Sequence, residues 1–213
     1  GIFGPQSAAR RVIQGIINMH AQVSGETPNG RQYKALDPVL LNWVSATASY
    51  GWLMAYDRYA KRLTDEEKSR FWAEADKVAP LYGVTYSPKS MDQFYAMMAK
   101  LEDDFEPHEI NLDFLDIIRS GRATRTLPKG MQKALAHAAI DILPPQTRRV
   151  LGLGAEFNLT TTQRLTVKAA AKLAEIIPAK SSAPAQACER LGLPRTFLWK
   201  SPREQQRLLE ALN

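Results

Sequence analysis

The stretch "DPVLLNWVSATASYGWLMAYDRYAKRL", residues 37–63, decides the fold class. Asp37 suits a helix N-cap, since its carboxylate can accept from the open N–H groups of a first turn. Pro38 suits the first helical position, where a missing N–H costs nothing. Leu40, Leu41, Val44, Ala48, Trp52, Ala55 and Tyr59 then recur mostly at spacings of three and four, the period of a helix rather than the alternation of a strand. The face is long and apolar, so the expectation is a helix running through the core, with Trp43 and Trp52 against apolar neighbours.

The same signal recurs outward from this stretch. Val12, Ile13, Ile16, Ile17 and His20 form a helical stripe upstream. "SGETPNGRQY" interrupts it with Gly25, Pro28, Asn29 and Gly30 and reads as a loop. Downstream, Thr64–Glu67 spells a capping box for a helix running to about Tyr82, with Gly83 as its C-terminal cap. Further helices are expected after Ser87 or Ser90, over "NLDFLDIIRSG" to Gly121, and from about Pro128 to the stop at Pro144 and Pro145. "LTTTQRLTVKAAAKLAEIIP" is an amphipathic helix closed by Pro178, and two short terminal helices follow. Period-2 runs are absent. The fold class is all-α: a bundle-like domain over residues 1–180, then a short helical appendage over 181–213 beyond the soft boundary "AKSSAPAQ".

Apolar residues make up 45% and charged residues 23% of the 213, the composition of a globular domain with room for a core. No apolar run approaches the roughly 18 residues of a membrane span. The net charge of +6 is dispersed over "ARR", "AKR", "GRATR", "QTRR" and "SPRE" with no interleaved aromatics, so it reads as a solvated basic surface and not a nucleic-acid site. The one cysteine, Cys188, excludes an intrachain disulfide and favours a reducing, cytoplasmic setting. The chain opens "GIFGPQSAARR", without an initiator methionine, and is expected to start inside a longer protein.

No glycine-rich phosphate loop, GxSxG elbow, zinc cysteine pair or HExxH is present. The carboxylates of "KLEDDFE" (Glu102, Asp103, Asp104, Glu106) read as a solvated helix end. The aromatics Trp43, Tyr50, Trp52, Tyr56 and Tyr59 read as packing. Of the three histidines, His108 lies in a polar loop and His137 in "ALAHAAI", where a buried, hydrogen-bonded role suits it. His20 stands among Ile13, Ile16, Ile17 and Met19. Its pattern admits two readings: a core histidine satisfied by a carbonyl, or a neutral imidazole held in an apolar wall as the axial ligand of a haem iron. The propionates of a haem want cations, and Arg10 and Arg11 lie two to three turns away on the same helix.

"HAQVSGETPNGRQYKALDPVLLNWVSAT", residues 20–47, resembles the mpaB-like and latex-clearing-protein (rubber oxygenase) family. The family's histidine followed by a small residue stands here as His20 and Ala21. Its glycine-containing "G…Y.A.DP" segment stands as Gly25, Gly30, Tyr33, Ala35, Asp37 and Pro38, and its "LL.WV.AT" helix as Leu40, Leu41, Trp43, Val44, Ala46 and Thr47. The resemblance continues through residues 55–84, is fainter at 141–153, and covers about 8–180. Ser45 stands where many relatives carry histidine, and Ile17 where rubber-cleaving relatives carry arginine.

The resemblance implies an all-α fold with haem b between core helices and His20 as the axial iron ligand. Ile16 and Ile17 would stand beside the cofactor, with O₂ on the opposite iron face and Thr47 as distal-pocket candidate. Relatives place their other distal residues upstream of the histidine helix, before this chain begins. The implied activity is oxidative cleavage of a double bond in an apolar, isoprenoid-like substrate to carbonyl products. The alternatives are a helical interaction module or a non-catalytic haem-binding protein of the same fold. Substrate identity and oligomeric state are not written in these residues.

Overall fold

The computed structural model describes residues 3–75, 77–120, 122 and 127–212. Among them the chain is all-α apart from one small hairpin. The helices are α1 (Gln6–His20), α2 (Pro38–Ala55), α3 (Asp65–Ala75), α4 (Met91–Leu101), α5 (Glu109–Arg119), α6 (Lys129–Asp141), α7 (Pro145–Val150), α8 (Thr161–Ile176), α9 (Ala183–Arg190) and α10 (Pro202–Glu210). No helix among these residues is long and apolar enough to cross a membrane. Gly121, expected to end α5, lies outside the described residues. The chain forms two units, one of Gly1–Leu41, Val78–Thr85 and Lys172–Asn213, the other of Asn42–Lys77 and Tyr86–Ala171.

In the first unit, α1 leads into strands β1 (Ser24–Glu26) and β2 (Gln32–Lys34), paired antiparallel with Gly25 opposite Tyr33. This corrects the loop reading of "SGETPNGRQY". Asn29-Gly30 is a hairpin turn signal, and Gly30 takes the left-handed φ of 82° that closes it. Gly83 likewise has a φ of 86°, capping a 3₁₀ turn at Ala79–Tyr82. The helix expected to reach Tyr82 therefore ends earlier, at Ala75. The terminal segment folds as anticipated into two short helices, and α10 opens with a full capping box between Ser201 and Glu204.

The second unit is built on α2, which carries no charged residue over 38–56. Its buried side is Ala46, Tyr50 and Leu53, packed with Trp72 of α3 and Phe94 and Met98 of α4. Tyr50 and Phe94 stack at 4.4 Å, and the Tyr50 hydroxyl donates to the Ile142 carbonyl at 2.9 Å. Of the residues expected to face the core, Trp43 does so, beside Phe105 at 5.8 Å, and Ala55 packs on the second cluster, but the middle of the chosen stripe is open: Val44 is 55% and Trp52 75% exposed. A helix apolar on all sides offers a spacing-of-four stripe in more than one direction, so the period could not say which stripe is packed. Tyr59 does pack, with Ala134, Ala138 and Val167.

After α2 the chain makes one π-helical turn, Tyr56–Ala60, a geometry frequent at functional sites. It turns Asp57 inward, where the carboxylate accepts from the Leu63 N–H at 2.7 Å and pairs with Arg62 at 3.1 Å. It also delivers Arg58 and Tyr59 to Asp141 at the end of α6. The Tyr59 hydroxyl donates to Asp141 at 2.6 Å, Arg58 pairs with it at 2.7 Å, and Arg164 of α8 reaches both oxygens at 3.3 Å. Burial raises the Asp141 pKa, but the Tyr59 hydrogen bond and the two guanidiniums outweigh it and hold the carboxyl below its usual value. Burial, then the bond to Asp141, pushes the Tyr59 hydroxyl up, so it stays a donor.

Candidate functional site

The residues around His20 are positioned by local chemistry that can be followed bond by bond. On α1 the inward face is Ile13, Ile16, Ile17 and His20, the i, i+3, i+4, i+7 pattern; Ile13 is buried and the other three are half-buried. His20 is the last residue of the helix. Its carbonyl accepts from the Val23 N–H at 3.0 Å, turning the chain into β1, and the Val23 carbonyl accepts from the Ala35 N–H at 2.9 Å just past β2. Asp37 then caps α2, accepting from the Val39 N–H at 2.8 Å. The segment from His20 to Pro38 is thus one hydrogen-bonded connection from the end of α1 to the start of α2. Gly25 lies close under its strand partner's side chain: a Cβ there would stand 2.7 Å from the Tyr33 hydroxyl oxygen unless that ring moved.

The His20 ring makes no hydrogen bond among the described residues. This separates it from the other two histidines. His108 is exposed and caps α5, its Nδ1 accepting from the Ile110 N–H at 3.1 Å. His137 is buried at 4% exposure, with Nδ1 3.3 Å from the Asn158 carbonyl and the Phe157 ring edge-on at 6.4 Å. Its Nε2 has no partner among the described residues. The three do not gather: among the described residues no group of three or more His, Cys, Asp and Glu could hold a metal ion. A haem iron makes no such demand, because the porphyrin supplies four nitrogens and the protein need supply one ring.

Thr47 belongs to the second unit, on α2, and is half-buried. Its hydroxyl points back along its own helix, 3.0 Å from the Trp43 carbonyl and 3.1 Å from that of Val44. With its proton engaged there, it can only accept from a ligand. Arg10 and Arg11 are both exposed. The structure therefore brings His20, Ile16 and Ile17 together on one face of α1, while Thr47 stands on another element of the other unit. The sequence reading missed the Arg58–Tyr59–Asp141–Arg164 cluster. Its members are separated by up to 106 positions, and no local spacing joins them.

The class defined by this arrangement is an all-α protein in which a histidine-ended helix is followed, through a hydrogen-bonded hairpin, by a charge-free helix. Residues 2–176 match the family described as ER-bound oxygenase mpaB/B′/rubber oxygenase, catalytic domain, and the chain belongs to that oxygenase family. No curated protein and no solved structure matches the chain.

Proposed function

We propose that the chain is a haem b-dependent oxygenase in which His20 ligates the iron, acting with O₂ on a double bond of an apolar, isoprenoid-like substrate. The observation that carries this reading is the His20 imidazole. It is half-buried on the stripe with Ile13, Ile16 and Ile17, makes no hydrogen bond, and occupies the position where the resemblance places the axial ligand. The residues present fit the group: an available imidazole and apolar neighbours are what a haem iron and porphyrin need from one side. When bound, the haem supplies the activation of O₂.

The chain's own part is binding and exclusion. His20 holds the iron through one ring nitrogen. Ile16 and Ile17 present apolar surface to the cofactor and keep water from it. Thr47 is assigned to the distal pocket as a hydrogen-bond acceptor. The apolar class of substrate is supported by α2, whose open side offers Val44, Ala48 and Trp52 without a charge. The oxygenase domain is proposed to span 1–180, supported by a family match that stops at 176, with 181–213 as the appendage.

The test is haem retention. Wild type and His20→Ala, expressed as the full chain with added haem, are compared by Soret absorbance per mole of protein. The expected result is retention by wild type and loss, or a weakly held haem of altered spin state, in the variant. Equal absorbance with an unchanged spin state would return His20 to packing. A wild type that holds no haem would make the chain a helical interaction module of the same family. Carbonyl products from a polyisoprenoid incubated with loaded wild type and O₂ test the reaction itself.

A further inference from the structure

A cavity of about 440 Å³ lies within the second unit, between the end of α4 and the start of α7. Met98, 8% exposed, Phe105, Tyr95 and Pro144 are among its lining residues. Its volume falls in the range of about 300–1,000 Å³ usual for small-molecule sites. Two charged side chains of opposite sign also line it, Glu102 and Arg149. Among the described residues neither forms an ion pair or a side-chain hydrogen bond, with the other or with anything else.

The contrast with the neighbouring arginine is informative. Arg148 is spent on structure: it donates to the carbonyls of Leu153 at 2.8 Å and Gly154 at 2.7 Å and to Asn158 Oδ1 at 2.8 Å. Arg149, one position on, is exposed, lines the cavity and makes no such bond among the described residues. Glu102 differs in the same way from Glu67 and Glu204, which close capping boxes.

A ligand carrying a single charge would pair with only one of these side chains, half-buried Glu102 or exposed Arg149, and leave the other to water. A neutral apolar ligand would use only the surface of Met98 and Phe105. A small zwitterion with an apolar side chain uses all three: its ammonium on Glu102, its carboxylate on Arg149, its side chain on Met98 and Phe105. We infer that this cavity is a binding site for a free α-amino acid with a large apolar side chain. The inference is independent of the haem reading and uses none of its residues.

The experiment titrates the full chain with L-phenylalanine, following backbone amide shifts by NMR and heat by calorimetry. L-phenylalaninamide and N-acetyl-L-phenylalanine serve as probes that each lack one charge. The expected result is saturable binding of the amino acid, with shifts confined to residues 95–105 and 144–149. Each blocked analogue should bind about tenfold or more weakly, the scale of one lost charge-assisted hydrogen bond. Glu102→Gln and Arg149→Gln should each weaken the amino acid similarly, while Asp103→Asn, in the same acidic run but outside the cavity, should not. Absence of saturable binding at millimolar L-phenylalanine, L-leucine and L-methionine overturns the site. So does binding that either blocked analogue matches, or that survives both cavity substitutions.

Discussion

Tyr50 and Trp52 are two residues apart on α2 and face opposite ways: Tyr50 is 5% exposed and stacked on Phe94, whereas Trp52 is 75% exposed. Two positions on a helix differ by about 200° of rotation, so the packing of one places the other outside. Trp52→Ala is therefore expected to change stability by no more than about 0.5 kcal/mol, as for other exposed sites. Phe94→Ala, which empties the space between Tyr50 and Trp72, should cost roughly 3–5 kcal/mol. Urea denaturation midpoints of the two variants check this. A large loss for Trp52→Ala would mean that its ring is covered.

The hairpin offers a test of packing at a glycine. Gly25→Ala would bring a Cβ within 2.9 Å of three atoms of the Tyr33 ring and hydroxyl, but that ring is 40% exposed and can swing outward. The expected cost is modest, about 1 kcal/mol, and it should largely vanish in a Tyr33→Ala background. A double-mutant cycle measures it. Additive costs would show that Gly25 is needed for its backbone and not for the ring above it.

Asp141 makes stability depend on acid pH. Its folded pKa is depressed below the usual carboxylate value. The stabilisation it provides is thus fully present above the unfolded pKa of about 4 and is lost as pH falls through the folded value. The difference in Tm between wild type and Asp141→Asn should be largest near neutral pH and shrink steadily in the acid range below about pH 4. A difference independent of pH across that range would place the effect of the substitution in packing rather than in charge.

Much of this architecture is local and was open to reading along the chain. Asp37 and Pro38 cap α2, Thr64 with Glu67 and Ser90 with Gln93 start α3 and α4, and helical periods mark the helices between breakers. The stripe Ile13–Ile16–Ile17–His20 and its place beside the "G…Y.A.DP" segment were equally plain. The hairpin was missed although Asn29-Gly30 announced it, because three-residue strands are too short for alternation to register against a long run of polar residues.

By itself, then, the sequence determined the all-α class, the helix starts and the candidate His20, since caps, breakers and helical periods act within a few residues of one another. Tertiary structure alone decided which side of α2 is packed, that Arg58, Tyr59 and Arg164 converge on Asp141, and that Glu102 and Arg149 share one cavity. The physical reason is the same in each case. An apolar helix without charge is indifferent to its own rotation until neighbouring helices bury one side, and charges distant in the chain meet only where that burial puts them.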